Sequence, residues 1–456
     1  MLTIADILKA TEGRLVAGGS TIEVKGVSID SRTIKKGELF FAIKGRRFDG
    51  HNFVEEAVKK GAVACVVEKG RRIKPRGVAV IEVADTIGAL GELARAVRTA
   101  RNVPVIAVTG TNGKTTTKEM IRTILDGSLR TLATPGNRNN TIGMPLTLLS
   151  MPEDCEVAVL ELGINEKGEM ARLCHICMPT VGVVTNIGRA HTEGLGREED
   201  VAEEKLTLFR YLEQGGIRVV NLDDPWIVKK ERRFASKRVS FGRACGADVK
   251  IKDVAIEDEG LYVLYVVADK MFEIRYNSPL THNAYNGAAA IAAAMAVGVD
   301  VEEAASRLNG FTPPAGRMRV MKIGGITVFD DTYNANPSSL RASLETLCGL
   351  PRRKIVVIGE MAELGESAPS EHKKAGKLAA VTSVDVLIPV GKYRMDVTEG
   401  AIMEGMKVEN VYPARDNMEA LSFLKNIVKE GDAVLIKGSR VAQTEEILSG
   451  LGGGRG

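Results

Sequence analysis

The apolar run Val105-Ile106-Ala107-Val108 gives way to Thr109-Gly110-Thr111-Asn112-Gly113-Lys114-Thr115-Thr116-Thr117, which reads as a buried strand, a glycine-rich turn and the start of a helix. Similar alternation continues from Val103 to about Thr312, with strands expected over Glu156–Glu161, Val181–Asn186 and Ile217–Asn221. Unbroken apolar strands separated by helical patterns predict a doubly wound, mainly parallel α/β sheet. Between Val249 and Tyr276 the pattern changes to strict alternation, as in a hairpin insertion or an edge sheet, and an alanine-rich helix comes next over His282–Val297. Pro313-Pro314-Ala315-Gly316-Arg317 reads as a hinge, because consecutive prolines and a glycine stop a helix. A third α/β alternation comes after it, with strands near Ile326–Asp330, Lys354–Ile358, Val384–Pro389 and Ala433–Lys437. Ahead of the central unit, short elements end in a strand at Val78–Val83, and a helix over Thr86–Ala100 links them to the strand Val105–Val108.

The turn itself predicts chemistry. Gly110 and Gly113 let backbone N–H groups approach an anion, and the helix beyond points its positive dipole end the same way. Lys114 supplies a cation for the outer phosphates of a nucleotide and Thr115 a hydroxyl suited to Mg2+. Gly110, Thr111, Asn112, Gly113, Lys114, Thr115 and Thr116 are thus the expected ATP loop. Val108 stands where the commoner pattern carries its first glycine, so the loop is a compact variant.

At 456 residues the chain exceeds a single core, and the three alternating regions predict an α/β protein of three domains, 1–84, 85–312 and 313–456. Its 44% hydrophobic and 26% charged content fit an ordinary folded chain, with only Ser449–Gly456 looking loose. No apolar run reaches about 18 residues and no signal-type segment opens the chain, so no membrane span and a cytoplasmic location are expected. Six cysteines in so long a chain are not a disulfide framework, and the lone pair Cys174/Cys177 reads as the buried face of a helix rather than a zinc site. A net charge of +4 and basic clusters without interleaved aromatics give no nucleic-acid partner.

Several blocks, in order, resemble the Mur ligase family of ATP-dependent amide-forming enzymes. They are the phosphate loop, Asn137–Pro145, Leu160–Asn165, Thr185–His191, Thr281–Asn286 and Asp330–Pro337. Within the family, Asp330–Pro337, Gly359–Gly365 and Val434–Arg440 resemble the member that adds D-alanyl-D-alanine to UDP-N-acetylmuramoyl-tripeptide. The D-N-P-R and G-x-G-G-x-R-D stretches expected of the ligase that adds the third amino acid are missing from the sequence. That sister ligase, a folylpolyglutamate synthetase and, from another class, a phosphate-loop ATPase or nucleotide switch are the competing readings.

The resemblance implies roles for particular residues. Lys114, Glu161, His191 and Lys205 would be catalytic, with Thr115, Glu161, His191 and Lys205 around two Mg2+ ions and Lys205 carrying a CO2-derived carbamate. Thr207 departs from the glutamate that relatives often carry there. Asn283 and Asn286 would lie at adenine, Arg317 at the ATP phosphates and Asp331 at the ribose. Tyr333, Asn334 and Asn336 would help form the dipeptide pocket, and Ser31, Arg32, Lys44, Arg46 and Phe48 the UDP-sugar site. The family also implies a monomer.

Overall fold

The computed structural model describes residues 2–452 except Arg46, Arg72, Lys74, Arg189, Ala190 and His191. Two site residues expected from the sequence, Arg46 and His191, therefore lie outside the described residues.

The first sheet runs, in spatial order, Arg14–Ala17, Ala79–Val83, Ala64–Glu68, Glu38–Phe41 and Gly26–Ser28, parallel except at the Arg14–Ala17 edge. A nine-stranded sheet forms the middle of the molecule: Lys270–Tyr276, Gly260–Val267, Val249–Glu257, Lys237–Gly242, Ile217–Asn221, Val181–Val184, Val105–Thr109, Val157–Glu161 and Thr131–Ala133. From Val249–Glu257 to Thr131–Ala133 the pairing is parallel, and the other two strands extend the same sheet antiparallel. The alternating segment is thus an edge of the central sheet, built of two hairpins. The last sheet orders Arg319–Ile323, Ile326–Asp331, Ala433–Lys437, Lys354–Ile358 and Val386–Pro389, antiparallel only at its first pair.

Val105–Thr109 and Val157–Glu161 are buried along their whole length because helices cover both faces of the sheet. Each fully buried Val or Ile there contributes about 1.5–3 kcal/mol. Over one face lies the alanine-rich helix Asn283–Ala296, packed against the helix Lys114–Leu125 that leaves the phosphate loop. Small side chains are required for this approach: a Cβ on Gly287 would collide with the Tyr276 and Tyr265 hydroxyls, which bond to each other at 2.9 Å. Tyr265 also donates to the Ala284 carbonyl at 2.8 Å, so neither buried phenol lacks a partner.

Thr86–Arg101 is more than a tether between the first and central sheets. Asp85 caps it by accepting from the Ile87 and Gly88 amides. Its Ala89, Leu90 and Leu93 enter the core under the first sheet, while Ala94 enters the core of the central one. At the other end of the molecule, the turn between Val249–Glu257 and Gly260–Val267 reaches the third sheet. There Glu259 Oε1 accepts from Lys322 Nζ at 2.7 Å and pairs with Arg352 Nη2 at 2.5 Å.

Candidate active site at the phosphate loop

Gly110 and Gly113 both have positive φ, 151° and 82°, and a Cβ on either would strike Thr185 Oγ1 or Asn286 Oδ1 respectively. The loop is held from beneath. Thr111 N–H donates to the Asn186 carbonyl (2.9 Å), Asn112 N–H to Asn186 Oδ1 (2.9 Å), and Thr185 Oγ1 to the Asn112 carbonyl (2.6 Å). The strand expected to run to Asn186 ends at Val184, and Thr185 and Asn186 continue from it beneath the loop, Thr185 N–H still donating to the Thr109 carbonyl at 3.0 Å. Since the amides of Thr111 and Asn112 are engaged, an anion would be met by the first-turn amides of the helix that opens at Lys114. Lys114 Nζ curls back onto the Gly110 (2.9 Å) and Thr111 (3.2 Å) carbonyls. Burial lowers the pKa of Lys114, while Glu161 opposes the shift.

Glu161 ends its strand almost fully buried. Its N–H donates to Thr134 Oγ1 (3.0 Å) and its Oε1 accepts from Asn139 Nδ2 (2.7 Å). The Oε2 atom has no hydrogen-bond partner among the described residues. An orphaned buried carboxylate oxygen beside a threonine hydroxyl and a phosphate cradle fits a hard divalent cation. Lys205, an ordinary exposed helix position by its neighbours in sequence, is buried on Glu198–Arg210. Desolvation first, and the Lys114 cation second, push its ammonium well below the usual lysine range.

The third domain closes the other side. Gly316, at φ 74°, donates its N–H to Asp330 Oδ2 (2.7 Å), which sets Arg317 across the Tyr333 ring at 3.9 Å. Arg317 Nη2 reaches Thr115 Oγ1 at 3.2 Å. Asn336 Nδ2 donates to Asn112 Oδ1 (3.0 Å), and Asn112 Nδ2 donates to Ser338 Oγ (3.3 Å). Asp331 Oδ2 is gripped by Lys437 Nζ and by Ser343 Oγ, the latter at 2.6 Å. Between the two domains lies a cleft of 1510 Å³ lined by the phosphate loop, Glu161, Asn286, Arg317, Asp331 and Tyr333–Asn336.

At the expected adenine end, Asn283 Oδ1 accepts from Asn286 Nδ2 (3.1 Å), and Asn283 Nδ2 is buried with no partner among the described residues. Nearby, Tyr285 donates to Asp223 Oδ2 at 2.9 Å, and Asp223 also takes the Ala244 amide at 2.9 Å. The described UDP-sugar candidates Ser31, Arg32, Lys44 and Phe48 do not line this cleft. Ser31 and Arg32 come after Gly26–Ser28 while Lys44 and Phe48 come after Glu38–Phe41, and the parallel pairing of those strands puts both loops on one sheet edge. Phe48 is 71% exposed, edge-on to Phe53 at 6.4 Å, and Arg32 is held by its own Asp30. Cys174 and Cys177 are buried on Glu169–Cys177, their thiols pushed up by burial, Cys177 to about 12.

Sequence reasoning did not assign Asn139, Asn186, Ser338 and Lys437 to the site. Asn139, Ser338 and Lys437 act through another side chain brought near by topology, and Asn186 through the backbone of the phosphate loop. Asn139 and Asn186 did fall within the blocks that carried the resemblance, and Lys437 ended an expected strand, so the available signal was position without a role.

Models of the Mur ligase middle domain, of the Mur ligase glutamate ligase domain and of the Mur ligase family catalytic domain match residues 108–294, 316–440 and 23–98. The chain belongs to the Mur ligase family. Among the relatives of this Mur ligase, the UDP-N-acetylmuramoyl-tripeptide–D-alanyl-D-alanine ligase of Bacillus subtilis (strain 168) is 35% identical over 94% of this chain and 93% of its own. The Escherichia coli (strain K12) enzyme of the same name is 32% identical over 99% and 98%. Crystal structure I of MurF from Acinetobacter baumannii superposes with a TM-score of 0.90 at 32% identity, covering 98% of both chains. MurF ligase of Thermotoga maritima, solved in complex with ADP, gives 0.83 at 30% identity over 94% of this Mur ligase and 97% of that chain.

Proposed function

We infer that this Mur ligase joins D-alanyl-D-alanine to UDP-N-acetylmuramoyl-tripeptide at the expense of ATP, giving the pentapeptide precursor of peptidoglycan, ADP and phosphate. The observation that carries the reading is the meeting, in one cleft, of a phosphate loop and the third-domain segment Tyr333–Asn336, in a chain similar over nearly its whole length to ligases of that name.

A carboxylate is a poor acceptor for an amine, so the tripeptide's terminal carboxylate oxygen first attacks the γ-phosphorus and ADP leaves. The dipeptide amine then attacks the acyl carbon, phosphate departs and the amine proton is lost as the amide forms. Lys114 and the helix amides would hold the anionic oxygens, with Arg317 arriving from the third domain. Thr115, Glu161, His191 and a carbamate on Lys205 would hold two Mg2+ ions, which supply charge neutralisation where carboxylate and phosphates converge. A buried Lys205, whose ammonium form is disfavoured by desolvation and by the Lys114 cation, suits capture of CO2. Asn283 and Asn286 would address adenine and Asp331 the ribose, Tyr333, Asn334 and Asn336 the dipeptide, and Ser31, Arg32, Lys44, Arg46 and Phe48 the UDP-sugar. The enzyme is proposed to work as a cytoplasmic monomer.

Phosphate release is the test, measured with ATP, Mg2+ and UDP-N-acetylmuramoyl-tripeptide, with and without D-alanyl-D-alanine. Release that requires the dipeptide, with a pentapeptide product by mass, is expected. Release indifferent to both substrates would return the chain to the ATPase reading.

A further inference from the structure

Asn112 belongs to the phosphate loop, yet its polar groups are all engaged by protein. Its N–H and carbonyl are tied to Asn186 and Thr185 beneath the loop. Its side chain turns to the third domain, accepting from Asn336 Nδ2 at 3.0 Å and donating to Ser338 Oγ at 3.3 Å. Asn336 is also the N-cap of the helix Pro337–Cys348, its side chain accepting from Ser339 N–H at 2.8 Å. One asparagine therefore fixes both the cap and the first turn of the helix that ends the Tyr333–Asn336 segment.

We propose that Asn112 is a positioning residue for the acceptor rather than a nucleotide contact: through Asn336 and Ser338 it sets the dipeptide side of the cleft against the phosphate loop. The inference rests on the ligase reading above. Asn112→Ala removes both interdomain bonds and leaves the backbone bonds of the loop in place. With ATP saturating, the KM for D-alanyl-D-alanine is expected to rise about five- to tenfold, as for the loss of two neutral hydrogen bonds. The affinity for ADP with Mg2+, by calorimetric titration, should stay within about twofold.

Asn336→Ser keeps a good helix cap while losing the reach to Asn112. In that background Asn112→Ala should raise the dipeptide KM only by the share due to Ser338, about twofold. Ser338→Ala alone should give a rise of that same size and guards against a folding failure in the other variants. A weakened ADP affinity with unchanged dipeptide KM, or fully multiplicative effects of Asn112→Ala and Asn336→Ser, would overturn the proposal. Should the unmutated protein show no dipeptide-dependent turnover, the ligase reading falls. The structural link is read independently by amide hydrogen exchange over residues 333–342, which Asn112→Ala should accelerate and which, if unchanged, refutes the link.

Discussion

Glu161 presents two unlike oxygens: Oε1 takes the Asn139 amide, and Oε2 is buried with no partner among the described residues. Such an arrangement costs stability unless a ligand completes it. Glu161→Gln keeps an acceptor for Asn139 and removes the charge. Its kcat for phosphate release is expected to fall about 10²–10³-fold, on the scale of losing one preorganised electrostatic group, while Tm holds or rises. A parallel loss of Tm would assign Glu161 to the fold instead. Lys205 leads to a second expectation, because a buried amine kept below its usual pKa is available to CO2. With 13C-bicarbonate, a carbamate carbonyl resonance should appear in the unmutated protein and vanish in Lys205→Met, with turnover down about 10²-fold. At this scale the sequence disclosed identities better than environments. The phosphate loop was legible because glycine, lysine and threonine there answer one local demand. Lys205 is buried and senses Lys114, a residue far from it in sequence, whereas its neighbours Glu203 and Glu204 suggested an exposed face with weak helix pairs.

Elements were read most surely where one environment acted on the whole segment. Ile217–Asn221, Lys354–Ile358 and Ala433–Lys437 have the bounds the apolar runs suggested, since each is covered on both sides. Val181–Val184 stops short where Thr185 and Asn186 turn to support the phosphate loop, a long-range demand that β-propensity does not register. The Val249–Tyr276 region left open an insertion or an edge, and only pairing with Lys237–Gly242 decides it. Helix caps have measurable effects of their own. Asp85 takes two first-turn amides of Thr86–Arg101, so Asp85→Ala is expected to destabilise by about 1 kcal/mol in denaturant titration without altering kcat. Gly113→Ala forces a left-handed φ and a clash with Asn286, and should abolish ADP binding by calorimetry.

At the scale of the molecule, the contacts that hold the third domain to the central one include those of Asn112 and Thr115 at the phosphate loop, the buried bond from Ser278 Oγ to the Met318 carbonyl, and the Glu259 tip. Burial raises the pKa of Glu259, but Lys322 and Arg352 outweigh it and hold the carboxyl below its ordinary value of 4.5. The stabilisation is therefore fully present above that ordinary value and lost as pH falls through the lower folded value. Glu259→Gln should mimic the acid state at neutral pH, seen as faster amide exchange in Arg319–Ile323 and a loss of about 1–3 kcal/mol. Neither the Glu259 nor the Asn112 contacts could be read from sequence, because Glu259 and Asn112 are local turn residues whose partners are set by how domains dock. The chain's single tryptophan, Trp226, lines the cleft, so its emission should change when ATP and Mg2+ bind and stay constant in Gly113→Ala. The shared helix Thr86–Arg101 has a further consequence for melting. With Leu90 and Leu93 in one core and Ala94 in the next, the first sheet cannot lose its packing without exposing the central one. Differential scanning calorimetry should accordingly resolve two cooperative units rather than three, the first two sheets melting together and the third on its own. A fragment cut after Asn102 would leave an apolar helix face uncovered and should associate rather than stay monodisperse.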